Sequence, residues 1–292
     1  MSWRFFSIIA IILENFTFHQ IVLYNRLASN FKAFKTMNKQ AKIALAKNLN
    51  EKMSFLSFEK RLSLAILQFK TAIFTTSLGL EDQVLTFAIA NNKLAIKIIT
   101  LETGRLFPQT KQLIKDTKSH FQIQIKELSP NKSELQTYID KYGLNGFYEN
   151  IEARKACCKV RKITPLKQAL KNADVWITGL RSEQSNNRSN IPFAQYDESF
   201  DIIKINPLAD VKLEQIWQII KQNNIPSNPL HQKSYPSIGC EPCTKAIRAG
   251  EGERAGRWWW ERDQKRECGL HLPTENQKTQ NPPFNKIAKY HE

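Results

Sequence analysis

Between Arg61 and Asn224 the chain switches repeatedly between two hydrophobic periods, and this alternation restricts the fold more than any other feature of the sequence. Residues 61–69 carry apolar side chains at helical spacing, and 71–77 form a short β-rich run that ends in a glycine-containing turn. The pattern recurs as helix over 81–92, buried strand over 94–102, helix over 108–121 and strand over 122–128. Pro108 stands where a first helical turn tolerates it. Residues 157–170 then read as helix, 173–180 as strand and 210–224 as an amphipathic helix. Strands that alternate with helices imply a parallel, twisted sheet covered on both faces. In an open sheet of that kind, ligands bind beyond the carboxyl ends of the strands.

The flanks break the alternation. Residues 1–36 include an apolar run, Phe5 to Leu13, too short to span a membrane and without a small-residue cleavage site. "MNKQAKIALAKNLN" from Met37 reads as an ordinary cytoplasmic N-terminus, so 1–36 is expected to be a dispensable extension with no stable membrane association. Residues 37–238 form the expected α/β body. After Pro226 no period persists, and 239–292 is expected to be a C-terminal segment of loops with a mobile, polar tail. The charge of +16 calls for an anionic partner or a solvated basic surface, and it does not choose between them.

Three strand ends carry candidate binding residues. Thr76, Ser77 and Gly79 in "TTSLGLED" suit a turn whose backbone N–H groups receive a phosphate, and equally a plain capped βα turn. Thr103, Gly104 and Arg105 in "LETGRLFPQT" form the second end, and Arg181 and Arg188 in "TGLRSEQSNNR" follow the third. The five cysteines are more specific. Their odd number and spacing argue against a secreted disulfide framework. Cys157 and Cys158 are adjacent, where a mutual disulfide would close a strained ring, while Cys240 and Cys243 form a CxxC. Four thiols suit an iron–sulfur cluster, and a structural zinc accepts the same number. Cys268 is left over, with Lys265, Arg266 and His271 nearby to favour its thiolate.

Taken together, "SLGLEDQVL", "ETGRLFPQT", "ACCKVRKITPL", "TGLRSEQSNNR", "GCEPCT", "GERAGRWWWE" and "ECGLH" resemble the assimilatory adenylyl-sulfate reductases of the phosphoadenylyl-sulfate reductase family. The resemblance runs from about Phe58 to Leu272, with one departure: Glu102 stands where the family more often has Asp. It implies a fold like the adenine-nucleotide alpha-hydrolases with a modified phosphate loop at residues 76–82. It also implies a [4Fe–4S] cluster on Cys157, Cys158, Cys240 and Cys243, the pair serving from a helix start.

The resemblance further implies reduction of adenylyl sulfate in sulfate assimilation and cysteine biosynthesis. Lys162, Arg254, Arg257 and His271 would meet the phosphosulfate, with Arg181 a further candidate. Cys268 would be the nucleophile that becomes an S-sulfocysteine. The stretch after Cys268 is too short for a fused redoxin domain, so a separate thioredoxin is the expected donor, in the cytoplasm. The nearest alternative is the 3′-phosphorylated substrate. A zinc module that binds nucleic acid would leave Cys268 and the order of the motifs without a role.

Overall fold

A computed structural model describes residues 34–184 and 190–261. Two helices, α1 (Lys39–Met53) and α2 (Phe58–Gln68), lead into strand β1 (Ala72–Thr76). There follow α3 (Leu80–Asn91), β2 (Ile96–Leu101), α4 (Pro108–Phe121), β3 (Ile125–Leu128) and α5 (Lys132–Tyr142). Next come α6 (Ile151–Cys158), a π-helical turn (Lys159–Ile163), α7 (Thr164–Leu170) and β4 (Val175–Ile177). The last regular elements are β5 (Ala194–Asp197), β6 (Ile202–Ile205) and α8 (Leu213–Gln222).

The six strands form one sheet in the order β3-β2-β1-β4-β6-β5. All neighbours are parallel except β5, which pairs antiparallel to β6 with Ala194 opposite Ile205. The alternation therefore predicts the sheet correctly but not its edge. An antiparallel partner needs only a tight turn, and two four-residue strands are too short to register as a period. Helix α1 was likewise hidden, because its buried stripe is Lys42, Ala46, Leu49 and Met53, half of it short or charged. Asn38 starts it by accepting the Ala41 N–H at 2.8 Å.

Apolar side chains cover both sheet faces. One face buries Leu49, Leu62, Phe74, Val84, Ile98, Ile177 and Ile203 beneath α1, α2, α3 and α8. The other packs Ile73, Ile99, Leu166, Leu170 and Trp176 beneath α7. The packed chain begins before Met37: Phe34 is buried against Phe69, edge to face at 6.0 Å, and Lys35 Nζ donates to the Lys171 carbonyl at 2.6 Å. At the other boundary, Leu106 forms an isolated β-bridge with Cys240, so the C-terminal segment folds back onto the loop between β2 and α4. Among the described residues, no helix is long and apolar enough to cross a membrane.

Candidate active site

Strand order reverses between β1 and β4, and there the carboxyl ends open a cleft. Thr75, Thr76, Ser77, Thr100, Thr178 and Gly179 line its floor. The β1–α3 loop is held in an unusual shape: Leu78 is buried at φ 61°, a left-handed conformation that a branched side chain seldom adopts. Two contacts hold it there. Leu78 N–H donates to Thr76 Oγ1 at 3.0 Å, and Asp82 Oδ2 accepts both the N–H and the hydroxyl of Ser77, at 2.5 and 2.8 Å. Burial raises the Asp82 pKa to about 7 despite those Ser77 hydrogen bonds. A carboxyl so poised gives up much of its negative charge near neutrality, which suits a cleft for anions.

Three cations enter this cleft: Lys162, Arg254 and Arg257. Lys162 comes from the π-helical turn, where a wider turn breaks the α-helical stepping of side chains. The preceding residue, Arg161, donates to the Thr103 carbonyl at 2.7 Å. Arg254 and Arg257 share no helix; they reach one side because both guanidinium groups lie over the Trp258 ring, at 6.0 and 4.8 Å. Two other arginines behave differently from the expectation. Arg181 is fully buried with its guanidinium on Glu81, Glu183 and Glu253, and it does not line the cleft. It ties the β4 end to the C-terminal segment instead. Arg105 donates to Asn145 Oδ1 at 2.6 Å and lies 5.4 Å from the Phe147 ring, beside the cysteines.

The four cysteines of the CC and CxxC sets are buried, unpaired by disulfides, and line one small cavity next to the cleft. Lys162 borders both spaces. Cys157 and Cys158 close helix α6 rather than open one, because Asn150 caps its start by accepting the Ala153 N–H at 2.8 Å. Cys240 faces Thr103 Oγ1 at 3.2 Å, and Thr103 Oγ1 also accepts the Arg105 N–H at 3.2 Å. Burial raises the Cys240 pKa, but Lys162, Thr103 and Arg257 outweigh it and hold the thiol below its ordinary value. Its neighbour Cys243 is pushed up to about 12 by burial and by Cys240.

No three His, Cys, Asp or Glu side chains among the described residues converge on a single metal ion. A polynuclear iron–sulfur group binds its thiolates through separate irons, and four thiols around a common cavity fit that requirement.

Of the residues singled out in the sequence, the structure brings Thr76, Ser77, Gly79, Thr103, Lys162, Arg254 and Arg257 to the cleft. Gly104 stays in its turn, donating its N–H to Glu102 Oε1 at 2.7 Å, so the longer acid at 102 still serves that turn. Cys268, His271 and Arg188 lie outside the described residues. Sequence reading missed Asp82, Glu81, Glu253 and His231, which also border the cleft. The acidic pair after Gly79 looks like ordinary first-turn charge, and His231 sits in a stretch without period.

The class this architecture defines is an open α/β protein with a cation-rimmed cleft at its strand ends and a polythiol cavity beside it. A family model for the phosphoadenosine phosphosulfate reductase domain matches residues 71–246, and the chain belongs to that family. The adenosine 5'-phosphosulfate reductase of Agrobacterium fabrum is 52% identical over 254 residues, covering 87% of this chain and 96% of the relative. That of Sinorhizobium fredii is 53% identical over 236 residues, covering 81% and 94%. The protein of the same name from Allochromatium vinosum is 49% identical over 199 residues, covering 68% and 78%. Among solved structures, the phosphoadenylyl-sulfate (PAPS) reductase of Candida auris in its phosphate complex superposes with a TM-score of 0.61 at 25% identity, covering 73% of this chain and 98% of that one.

Proposed function

We propose that this chain is an adenylyl-sulfate reductase of sulfate assimilation, which converts adenosine 5'-phosphosulfate and a dithiol to sulfite, AMP and a disulfide. The observation that carries the reading is the extent of likeness to relatives of that name, about half the residues over most of both chains. The cleft supplies what the chemistry demands. A thiolate approaching a sulfate sulfur meets like charge, so cations must already be in position. Lys162, Arg254 and Arg257 are such cations, held by the π-helical turn and by Trp258. The Thr76 hydroxyl accepts the Leu78 N–H and keeps its own proton to donate to the nucleotide phosphate.

In the reaction, the Cys268 thiolate attacks the sulfur, the bond from sulfur to the bridging oxygen breaks, and AMP leaves with its electron pair. The second half is thiol exchange: one thiol of a separate protein of the thioredoxin type attacks Cys268 Sγ and displaces sulfite. Its second thiol then resolves the mixed disulfide, which returns Cys268 to the thiol. Cys157, Cys158, Cys240 and Cys243 would hold a [4Fe–4S] cluster. When bound, it would join the CxxC turn to the end of α6 and set the charge felt beside Lys162. We place the reaction in the cytoplasm, where thiols stay reduced.

Family membership alone would also permit the 3′-phosphorylated substrate, since the domain description and the Candida auris structure both carry that name. Steady-state sulfite release from both nucleotides, with anaerobically purified protein, separates the two. Cys268→Ser should keep iron and nucleotide binding and lose sulfite production, because a serine hydroxyl is a poor nucleophile toward sulfur. Wild-type protein given adenosine 5'-phosphosulfate without reductant should gain one sulfo group by intact mass. An adduct on another residue, or turnover by the serine variant, would remove Cys268 from the mechanism.

A further inference from the structure

The glycine of "GCEPC" has no evident turn requirement: Gly239 is not among the residues at positive φ. Its constraint is a neighbour. A Cβ built on Gly239 would lie 2.2 Å from Arg257 Nη2, 2.6 Å from its Cζ and 3.0 Å from Nη1, so its three nearest neighbours all belong to that one guanidinium. The Arg257 guanidinium therefore lies flat against the backbone that leads into Cys240. From there Nη1 reaches Ser237 Oγ at 3.4 Å, and the guanidinium faces the Trp258 ring at 4.8 Å. The two strands of chain are also joined directly. Thr244 and Arg257 form a β-bridge, and Gly239 N–H donates to Thr244 Oγ1 at 3.2 Å.

We infer that Gly239 is a positioning residue: its missing side chain seats the Arg257 guanidinium between the CxxC turn and the cleft, and so couples that turn to the anion site. The atoms a side chain would strike belong to the far end of a long, flexible arginine. The fold can yield cheaply by swinging Arg257 aside. The site cannot, because a charge displaced by about 1 Å from a developing negative charge costs up to about a hundredfold in rate. The same contact explains why composition gives no hint of it. A glycine between isoleucine and cysteine looks like a turn former, and the arginine it accommodates is eighteen residues away in sequence.

The inference rests on the proposed reductase reading, and its test separates the two. Gly239→Ala should fold, bind adenosine as the parent does, and lose about tenfold or more in kcat/KM for adenosine 5'-phosphosulfate. In an Arg257→Ala background the same glycine substitution should cost less than about twofold, since the obstacle is gone. Equal losses in both backgrounds, or full activity of Gly239→Ala alone, would overturn the role. If Gly239→Ala lowers the thermal midpoint instead, that loss should also vanish in the Arg257→Ala background. A midpoint loss that persists there would equally overturn it. If the parent protein releases no sulfite from either nucleotide, the reductase reading fails, while the coupling of midpoints still reports on the Gly239–Arg257 contact.

Discussion

The two sides of this molecule are held together by different physics. Beneath α1, α2, α3 and α8 the core is apolar and regular: Leu49, Leu62, Phe74, Val84 and Ile203 are fully buried and come from regular helices and strands. Around the thiols the cluster is Tyr138, Phe147, Cys157, Cys240, Cys243 and Trp258, drawn from helix ends and turns. Here the packing is finished by charge. Arg154 and Glu261, both buried, form a two-pronged ion pair, with the Arg154 guanidinium 4.8 Å from the Trp258 ring. The first region can lose a contact and remain a sheet. The second depends on a few specific partners, which suits a site that must hold cations and thiols in fixed relation.

That contrast can be broken most severely at the thiols. Cys240→Ser should lose iron and nearly all activity while the far-ultraviolet circular dichroism of the sheet and helices persists. Retention of full iron content would remove Cys240 from the ligand set. Next in size is Arg154→Met. Removing one partner of a buried ion pair leaves an uncompensated charge and costs about 3–5 kcal/mol. The loss should appear as faster amide exchange over residues 240–261, with β1 and β6 unchanged. Uniform exchange throughout would mean that the two regions unfold as one.

A smaller effect comes from pH. Asp82 titrates near 7 in the fold, above its ordinary value of 3.8, so the folded state holds its proton more tightly than the unfolded chain does. Its contribution to stability is therefore complete below pH 4 and is lost as pH rises through 7, by at most about 4 kcal/mol. Asp82→Asn keeps an acceptor for Ser77 but cannot ionise. The difference in urea midpoint between parent and variant should shift in favour of Asn from pH 5 to pH 8, and a constant difference would mean that Asp82 is ionised throughout. Least disruptive is a start at Met37, which removes Phe34 from its contact with Phe69. This should cost about 1.5–3 kcal/mol in thermal or urea unfolding and leave kcat unchanged. No loss of stability would mean that Phe34 is not held in solution.

The legible part of the site was the part written in short motifs. The CC and CxxC pairs, the hydroxyls after β1 and the cations Lys162, Arg254 and Arg257 stand out by residue type, and the structure collects them at adjoining spaces. For Arg181, residue type says that a guanidinium seeks an anion, not which one. In the fold it is buried among Glu81, Glu183 and Glu253. Arg105 was drawn off by Asn145 and Phe147, far along the chain. Asp82 went unnoticed since only its depth raises its pKa.

Hydrophobic periodicity by itself determined the layered α/β body, because a strand buried on both faces or a helix buried on one must repeat its apolar residues at a fixed interval. Cysteine spacing by itself determined that four thiols belong together and one stands apart. Only the tertiary structure decided the antiparallel edge, the closing of α6 at Cys157 and Cys158, and the meeting of Gly239 with Arg257. Those features rest on contacts between residues distant in the chain. Their energies depend on burial and on which partners the fold brings within reach, and no local period or motif encodes either one.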